Sequence, residues 1–311
     1  MNELFSLTVL MGILSTGIRL ATPYLYAAIG ETFSQRSGVL NLGVEGIMLM
    51  GAFSGFYFGI TTGNPWLGLL GAALVGLIMG LMMAFVSVTL QATQGISGIG
   101  LHLFGLGLST LLFKALLRGS VESISGFQPI RIPILADIPY LGQVLFNHNI
   151  LVYMAFLLVP VAHFVLNKTT FGLSVRAVGQ NPESADSLGV NVARIRYTTV
   201  ALGGIMAGIA GASLSLALIN LFQENMTSGI GFIAVALVYF GGWRPWGVLG
   251  GALLFSMVNA LQLWIQVLRI PIPSDIAVMM PYILTILALA FSVNRTRAPA
   301  ALTKAFNRGE N

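Results

Sequence analysis

Cysteine is absent from the 311 residues, and charged residues make up only 8% of them. Without cysteine, the chain cannot be a secreted scaffold held together by disulfides. Soluble domains carry about 25% charged residues, so this chain has too little charge to cover a surface that faces water. With 56% hydrophobic residues, the composition excludes a soluble enzyme and predicts an integral membrane protein.

The motifs of common catalytic sites are also missing. The chain contains no H-E-x-x-H and no G-x-S-x-G, and no lysine completes the nucleotide-binding pattern G-x-x-x-x-G-K-[ST]. The histidines are scattered along the chain, at His102, His148 and His163. We therefore expect no catalytic residue, no metal site and no cofactor in this chain, so that any ATP must be hydrolysed by another chain.

Long apolar runs dominate what is present. A helix that crosses a bilayer needs about 20 mostly apolar residues. Runs of this kind predict nine spans, near residues 4–29, 39–60, 66–90, 95–117, 150–166, 197–219, 229–242, 246–268 and 275–293. The run at 229–242 is short and fits a re-entrant or broken helix, so the predicted range is eight to ten. The predicted fold is an all-α polytopic membrane protein, with residues 1–311 as one integral domain.

The net charge of +5 indicates which loops face the cytoplasm. In a soluble protein it would suggest nucleic-acid binding, but here it follows the positive-inside rule, and no nucleic acid is expected. The loop 167–196 and the tail 294–311 are predicted to be cytoplasmic because they contain Lys168, Arg176, Arg194, Arg196, Arg295, Arg297, Lys304 and Arg308. Nine spans then place the N-terminus and the loop 118–149 outside. The first run follows Met1–Leu4, which lacks basic residues, and is predicted to be a span rather than a cleaved signal.

A sequence repeat links the two halves of the chain. Pro65–Ala72 reads PWLGLLGA, and Pro245–Ala252 reads PWGVLGGA. Each follows an apolar run that opens with Ser-Gly, at residues 37–38 and 228–229. On the nine-span prediction the copies run in opposite directions, as in the inverted repeats of transporters. The alternative is that these residues recur because the composition is biased.

The loop 167–196 contains a short helix with well-defined ends. Asn181 is a good N-cap, and Pro182 at the first helical position loses no hydrogen bond. Glu183 lies in the first turn, where the helix dipole favours an anion. Gly189 can close the helix in a left-handed conformation. These signals predict a helix over residues 182–188, and its defined ends suggest a docking element that transmits force from a partner.

Three segments resemble the permease subunits of bacterial ABC importers. VGQNPESADSLGV, residues 178–190, resembles the coupling loop of permeases for simple sugars, nucleosides and branched-chain amino acids. Arg19–Phe53 and Gly231–Phe255 resemble the nucleoside and simple-sugar branch more closely. The resemblance covers nearly the whole chain, whose length is similar to that of the shorter permease of Bmp-type nucleoside importers.

The resemblance implies an importer in the bacterial plasma (inner) membrane that is built from several chains. Its other parts would be a second, longer permease, a cytoplasmic ATPase that binds ATP-Mg, and an extracytoplasmic substrate-binding lipoprotein. Nucleosides are the first expectation for the substrate and simple sugars, of the ribose or galactose type, the second. The residues expected to couple transport to the ATPase are Arg176, Gly179, Asn181, Pro182, Glu183, Asp186 and Gly189.

Ionisable residues inside spans are costly and usually face a cavity or a partner. Glu45 is the clearest case, and Asn41 precedes it by four residues, which would place both on one helix face. Either this face lines the translocation path, or Glu45 forms an ion pair with Arg19 or Arg36 that stabilises the fold near the cytoplasmic end. In a rival class, a secondary transporter driven by an ion gradient, Glu45 would be the proton site.

Other polar residues inside spans complete the candidate path. Ser97 lies between glycines that allow close approach, and His102 follows on the same helix; a lone histidine is also commonly a packing residue. In the second half, Asn259 and Gln262 lie on one polar stripe that would be costly against lipid. Outside the spans, the loop 118–149 is predicted either to receive the binding protein or to form a lid over the helices.

Overall fold

The computed structural model is mostly helical. It describes residues 7–119, 123–133, 135–139, 141–268, 279–280, 283, 286–287, 290 and 298–307. The longer helices are α1 (Leu7–Arg36), α2 (Val44–Thr62), α3 (Pro65–Ala84), α4 (Gln94–Leu117), α6 (Ile150–Lys168), α9 (Val192–Ser213) and α11 (Pro245–Val267). The shorter ones are α5 (Leu141–Leu145), α7 (Thr170–Gln180), α8 (Pro182–Ser187) and α10 (Ile230–Phe240).

Two helices end in a wider π turn, and two strands form a small hairpin. The π turns follow α3 at Phe85–Thr89 and α9 at Leu214–Leu218. The strands β1 (Pro129–Arg131) and β2 (Asn147–Asn149) pair antiparallel, with Ile130 opposite His148. They lie within the loop 118–149, which therefore has structure of its own.

The expected polytopic membrane fold is confirmed. Six of the described helices are long and apolar enough to cross a membrane: α2, α3 with its π turn, α4, α6, α9 with its π turn, and α11. Helix α1 has 30 residues, a length of about 45 Å at 1.5 Å per residue, and α10 is a short apolar helix of 11 residues. The ninth expected span, 275–293, lies largely outside the described residues, so nine remains approximate.

Asparagine caps explain where several helices begin. The side chain of Asn64 accepts a hydrogen bond from the amide of Trp66, and Pro65 occupies the first position of α3. Asn149 and Asn191 cap α6 and α9 in the same way. Each cap satisfies an amide that the helix itself leaves without a partner.

The connections sort into two sides of the molecule. On one side, Ala301 of the tail donates to the carbonyl of Gly179 at 2.9 Å, and Thr303 donates to that of Gly38 at 3.0 Å. On the opposite side, Phe127 donates to the carbonyl of Leu216 at 2.8 Å. The start of α1 lines a cavity on that second side together with the 118–149 loop. The described part of the tail and the start of α1 therefore lie on opposite sides; which side is cytoplasmic remains a prediction from charge.

Corresponding helices of the two repeats run in opposite directions. Helices α2 and α10 begin beside each other, where Glu45 accepts from the amide of Gly229. Helix α2 then runs toward the loop 118–149, with Gly59 next to Ile124, whereas α10 runs to the tail side, where Arg36 donates to the carbonyl of Trp243 at 2.8 Å. Helix α3 begins on the opposite side, where the rings of Trp66 and Phe127 meet at 5.0 Å, and α11 begins on the tail side. The short loops before α2 and α10 each contain a glycine with positive φ, Gly38 at 94° and Gly229 at 90°. This arrangement favours the inverted repeat over chance recurrence.

Glycines let three helices touch backbone to backbone at the centre. Helices α2 and α9 are mostly buried, and α3 packs against both. A Cβ at Gly51 would collide with Gly208, and one at Gly76 with Gly204. In lipid, where apolar burial drives helices together only weakly, such close approach through small residues supplies the packing energy. The glycine-rich composition is thus a requirement of this centre.

Enlarging a glycine at this centre should destabilise the fold. A Cβ at Gly211 would collide with the carbonyl oxygen of Met48, so Gly211→Ala is expected to cost about 1–3 kcal/mol, as overpacking does. The matched control is Gly107→Ala in α4, where no described atom from outside the neighbouring turns of α4 lies within 4 Å of the new methyl group. Thermal unfolding in detergent, followed by tryptophan fluorescence, should show a lower Tm for the first variant only; an equal shift in both would contradict the packing argument.

Candidate functional site

The carboxylate of Glu45 is buried at the point where α2 meets the start of α10. Glu45 lies in the first turn of α2 and is 1% exposed. Its Oε1 accepts hydrogen bonds from Thr227 Oγ1 at 2.6 Å and from the amide of Gly229 at 2.7 Å, and its Oε2 accepts one from the amide of Gly231 at 2.5 Å. The carboxylate thus has three donors, all supplied by the other repeat.

Local geometry explains why these donors converge. The first amides of a helix have no partner within the helix, and its N-terminus carries partial positive charge. A carboxylate at the start of α10 therefore accepts hydrogen bonds from the unpaired amides and lies where the partial positive charge favours an anion. Gly231 is needed there, because a Cβ would lie 2.6 Å from Glu45 Cα. Glu45 therefore caps α10 from another helix and joins the two repeats.

The expected ion pair between Arg19 and Glu45 is wrong. Arg19 lies exposed on α1, whereas Glu45 is buried and bonded to hydroxyl and amide groups. Within the described ranges, the ion pairs join Lys114 to Glu224 at 3.2 Å and Arg131 to Asp137. Glu45 has no need of a cation, because uncharged donors and a helix N-terminus already stabilise its charge.

The expected shared helix face of Asn41 and Glu45 is also wrong, because α2 begins only at Val44. Asn41 lies in a loop over residues 37–43, called here the hinge loop. Its side chain accepts from the amide of Gly43 at 2.9 Å, a local turn that asparagine favours over helix. Asn41 is 1% exposed, so this bond orders a buried loop.

A second buried carboxylate, Glu31, also holds the hinge loop, through the backbone of Asn41. Its Oε1 accepts from the amide of Asn41 at 3.0 Å and from the side chain of Gln35 at 3.0 Å. Gln35 in turn accepts from the indole N–H of Trp243 at 2.8 Å. Sequence reasoning missed Glu31 because it ended the first span at residue 29, whereas α1 continues to Arg36. The sequence did contain a signal for this buried site, since Glu31 is flanked by apolar and small residues.

Helix α4 contacts the start of α2 next to Glu45. A Cβ at Gly46 would lie 2.6 Å from the Cα of His102, and one at Gly105 would collide with Gly46. The ring of His102 packs edge-on against Phe232 at 5.2 Å. Its Nδ1 is buried and has no hydrogen-bond partner among the described residues. Of the predicted path residues, His102 is thus the one that the structure brings next to Glu45.

The remaining path candidates lie apart from this cluster. The hydroxyl of Ser97 donates to the carbonyl of Thr93 at 3.0 Å, and Ser97 lines a small apolar cavity with residues of α3 and α4. Asn259 and Gln262 are half-buried on α11. Within the described ranges neither makes a hydrogen bond through its side chain. Their place in a path stays a prediction.

The helix expected at 182–188 is present as α8, and its predicted caps are confirmed. The side chain of Asn181 accepts from the amide of Ser184 at 3.0 Å, Pro182 is at the first position, and Gly189 has φ of 85°. Glu183 is exposed in the first turn, and Asp186 is half-buried. A well-ordered helix with an exposed surface can receive a partner.

The loop around α8 rests directly on the end of α1. A Cβ at Gly179 would collide with the carbonyl oxygen of Arg36, so only glycine allows this approach. Arg176 is half-buried in α7, with its Nε donating to the carbonyl of Gly172 at 3.4 Å. On the surface, the large apolar side chains of Leu173 and Leu188 are 59% and 85% exposed. The exposed leucines are suited to a protein contact.

Among the described residues there is no group of three or more His, Asp or Glu side chains that could hold a metal ion.

Neutralising Glu45 should weaken the joint between the repeats. Glu45→Gln keeps the shape but turns an amide NH₂ toward a backbone donor, and losing a hydrogen bond to a charged group costs about 1.5–3 kcal/mol. The control is Glu224→Gln, which removes an exposed ion pair worth at most about 1 kcal/mol. Thermal unfolding should show a clearly lower Tm for Glu45→Gln. Similar Tm values for the two variants would refute the capping role.

Comparisons with known proteins identify the family. A family model described as "Branched-chain amino acid transport system / permease component" matches residues 13–289. Relatives include "Putative glucose ABC transporter permease protein TsgC13" of Haloferax volcanii, 40% identical over 96% of this chain and 98% of the relative. Guanosine ABC transporter permease protein NupQ of Bacillus subtilis is 38% identical, and Nucleoside ABC transporter permease protein NupC of Lactococcus lactis 36%; each alignment covers 90% of this chain and 92% of the relative. No solved structure matches the chain. The chain belongs to the family of branched-chain amino acid transport system permease components.

Proposed function

We propose that this chain is one of two permease subunits of an ATP-driven importer, and that its substrate is a nucleoside. The observation that carries the proposal is that the three relatives above, each aligned over at least 90% of this chain, are all named ABC transporter permeases. The geometry agrees, since α8 presents an exposed, capped helix on the same side as the tail. The chain itself would act as a transport subunit without an ATPase site.

The second permease follows from pairs of relatives in single organisms. Bacillus subtilis has both NupQ and NupP, each named a guanosine ABC transporter permease, and this chain is 38% identical to one and 26% identical to the other. Lactococcus lactis has the corresponding pair NupC and NupB. We infer a second, longer permease beside this chain, an ATPase that binds ATP-Mg on the cytoplasmic side, and a substrate-binding lipoprotein that docks on the loop 118–149.

The contacts suggest how ATP hydrolysis would reach the membrane. The ATPase would press on α8, with Arg176, Asn181, Pro182, Glu183, Asp186 and Gly189 supporting or forming its surface. Gly179 would pass this movement to the end of α1, on which it rests. The hinge loop would carry it to Glu45 and so to α10. Opening and closing of the path between the two permeases is the alternating-access class of mechanism.

The substrate is either a nucleoside or a simple sugar, and both present hydroxyl groups to the path. Nucleosides come first because two of the three relatives are named for them, and sugars second because one is named for glucose. His102, Ser97, Asn259 and Gln262 are the candidates for substrate contact. Asn41 and Glu45, whose side chains are already bonded within the protein, would act as locks.

An ion-driven secondary transporter is the weaker proposal. Glu45 would then have to take up and release protons, but its two oxygens accept three hydrogen bonds in a buried site. A proton carrier would give up these bonds at each cycle. Family membership points the same way, because the relatives are named as ABC transporters.

Disturbing the contact between Gly179, next to α8, and the end of α1 should stop transport. Gly179→Val would drive a side chain into the carbonyl of Arg36, and we expect uptake to fall to background. Gly107→Val is the matched control, since this exposed glycine of α4 has no described atom of another element within 4 Å of its Cβ position. ATP-driven uptake into proteoliposomes and recovery of the bound ATPase are the measurements. Normal uptake by Gly179→Val would refute the coupling role.

Competition should identify the substrate class. The importer, reconstituted with its partners, is expected to take up a labelled purine nucleoside in a saturable, ATP-dependent way. Unlabelled nucleosides should compete, whereas ribose, galactose and glucose should not. Competition by hexoses alone would move the assignment to sugars, and uptake that follows a proton gradient without the ATPase would support the secondary transporter.

A further inference from the structure

Residues 300–304 of the tail, called here the strap, cross the tail side of the molecule. They contact both the hinge loop and residues 178–190, called here the coupling loop. The amide of Ala301 donates to the carbonyl of Gly179 at 2.9 Å, beside α8. The amide of Thr303 donates to the carbonyl of Gly38, in the hinge loop, at 3.0 Å. Two amides only two residues apart therefore bind the two loops that ATP-driven movement would have to connect.

Arg196 at the start of α9 also holds the strap in place, through hydrogen bonds of its buried side chain. The residue is 2% exposed, and its Nε donates to the carbonyl of Ser37 at 3.3 Å while its Nη1 donates to that of Lys304 at 3.1 Å. A buried guanidinium held by carbonyl groups is costly to place, and its planar fork suits two acceptors at once. Arg196 thus bonds the hinge loop and the strap together.

The fit between strap and hinge loop depends on a glycine. Gly38 has φ of 94°, and a Cβ there would lie 2.9 Å from the carbonyl oxygen of Ala301. The strap occupies the space in which a side chain at this position would lie. Ala301 itself is 3% exposed, so this residue anchors the strap in the protein, whereas Ala300, Thr303 and Lys304 are exposed.

We propose that the strap is a coupling element. Movement of α8 reaches the hinge loop through two routes, the direct contact of Gly179 with Arg36 and the backbone of the strap. The second route holds Gly38 and Gly179 to one short segment, so that the hinge loop must follow the coupling loop. Nothing in the family match requires this role, because the matched residues end at 289. The inference rests on the proposed ATP-driven function.

The decisive variant removes one hydrogen bond of the strap. Ala301→Pro removes the N–H that donates to the carbonyl oxygen of Gly179, whereas Ala301→Gly keeps this donor. Ala305→Pro, just beyond the strap, is the matched proline control, because Ala305 is exposed and its amide donates to no described residue. All three are tested in the complete importer with its partner subunits, by measuring uptake, ATP hydrolysis and recovery of the ATPase.

The expected result is uncoupling. In Ala301→Pro, uptake per ATP hydrolysed should fall at least about fivefold, the factor that a net hydrogen bond of about 1 kcal/mol represents, while the ATPase remains bound. Ala301→Gly and Ala305→Pro should keep the wild-type ratio. A purely structural role predicts a different result, in which the amount of complex falls and the ratio of uptake to hydrolysis stays constant. That result would overturn the proposal.

A second variant decides the matter where Ala301→Pro yields no complex. Arg196→Lys keeps the charge but cannot bond Ser37 and Lys304 with a planar fork, and it should lower the same ratio. An unchanged ratio in Arg196→Lys would overturn the role of the strap. The proposed function is tested separately by the wild-type importer: its failure to take up any nucleoside or sugar with ATP would refute the function, whichever way the strap variants behave.

Discussion

The contact on which this structure depends is the bond of one buried carboxylate to the start of a short helix. Removing a charge from water is costly unless the protein replaces the lost hydrogen bonds. Glu45 receives three such bonds from the segment 227–231. In return, α10, which has only 11 residues, has its first amides satisfied inside the membrane protein. The carboxylate and the helix end thus stabilise each other, and through them the two repeats are joined.

The packing of the helices around this contact depends on glycines, which have no side chain. The centre is formed by α2, α3 and α9, which cross at glycines with no room for a methyl group. Close backbone approach gives van der Waals contact where lipid offers little hydrophobic driving force. It also makes the centre rigid, since any sliding of these helices would bring backbone atoms into collision. Movement during transport is therefore more easily accommodated at the loops than at the centre.

The tail side has the opposite character, since loops there are tied by single hydrogen bonds. The hinge loop is held by Glu31 through the amide of Asn41, by Arg196 through Ser37 and by the strap through Gly38. In each of these bonds the hinge loop contributes a backbone group, so the bonds do not depend on the side chains that the loop carries. A segment held at several backbone points between two rigid helices can shift as a unit. This is the property that a link between an ATPase and a membrane path requires.

Composition and apolar runs determined the membrane class and most spans, because these depend only on local hydropathy. The ends of α8 were equally local: Asn181, Pro182 and Gly189 act on amides within a few residues, so sequence alone predicted them. The partner of Glu45 could not be predicted, because Thr227 and Gly231 lie more than 180 residues away and bind through a hydroxyl and a backbone amide. Sequence reasoning paired the charge with Arg19 because it could count only charged side chains. Only the tertiary structure brought the start of α10 to the carboxylate, because every residue except proline has a backbone amide and nothing in the sequence marks which one a distant carboxylate meets.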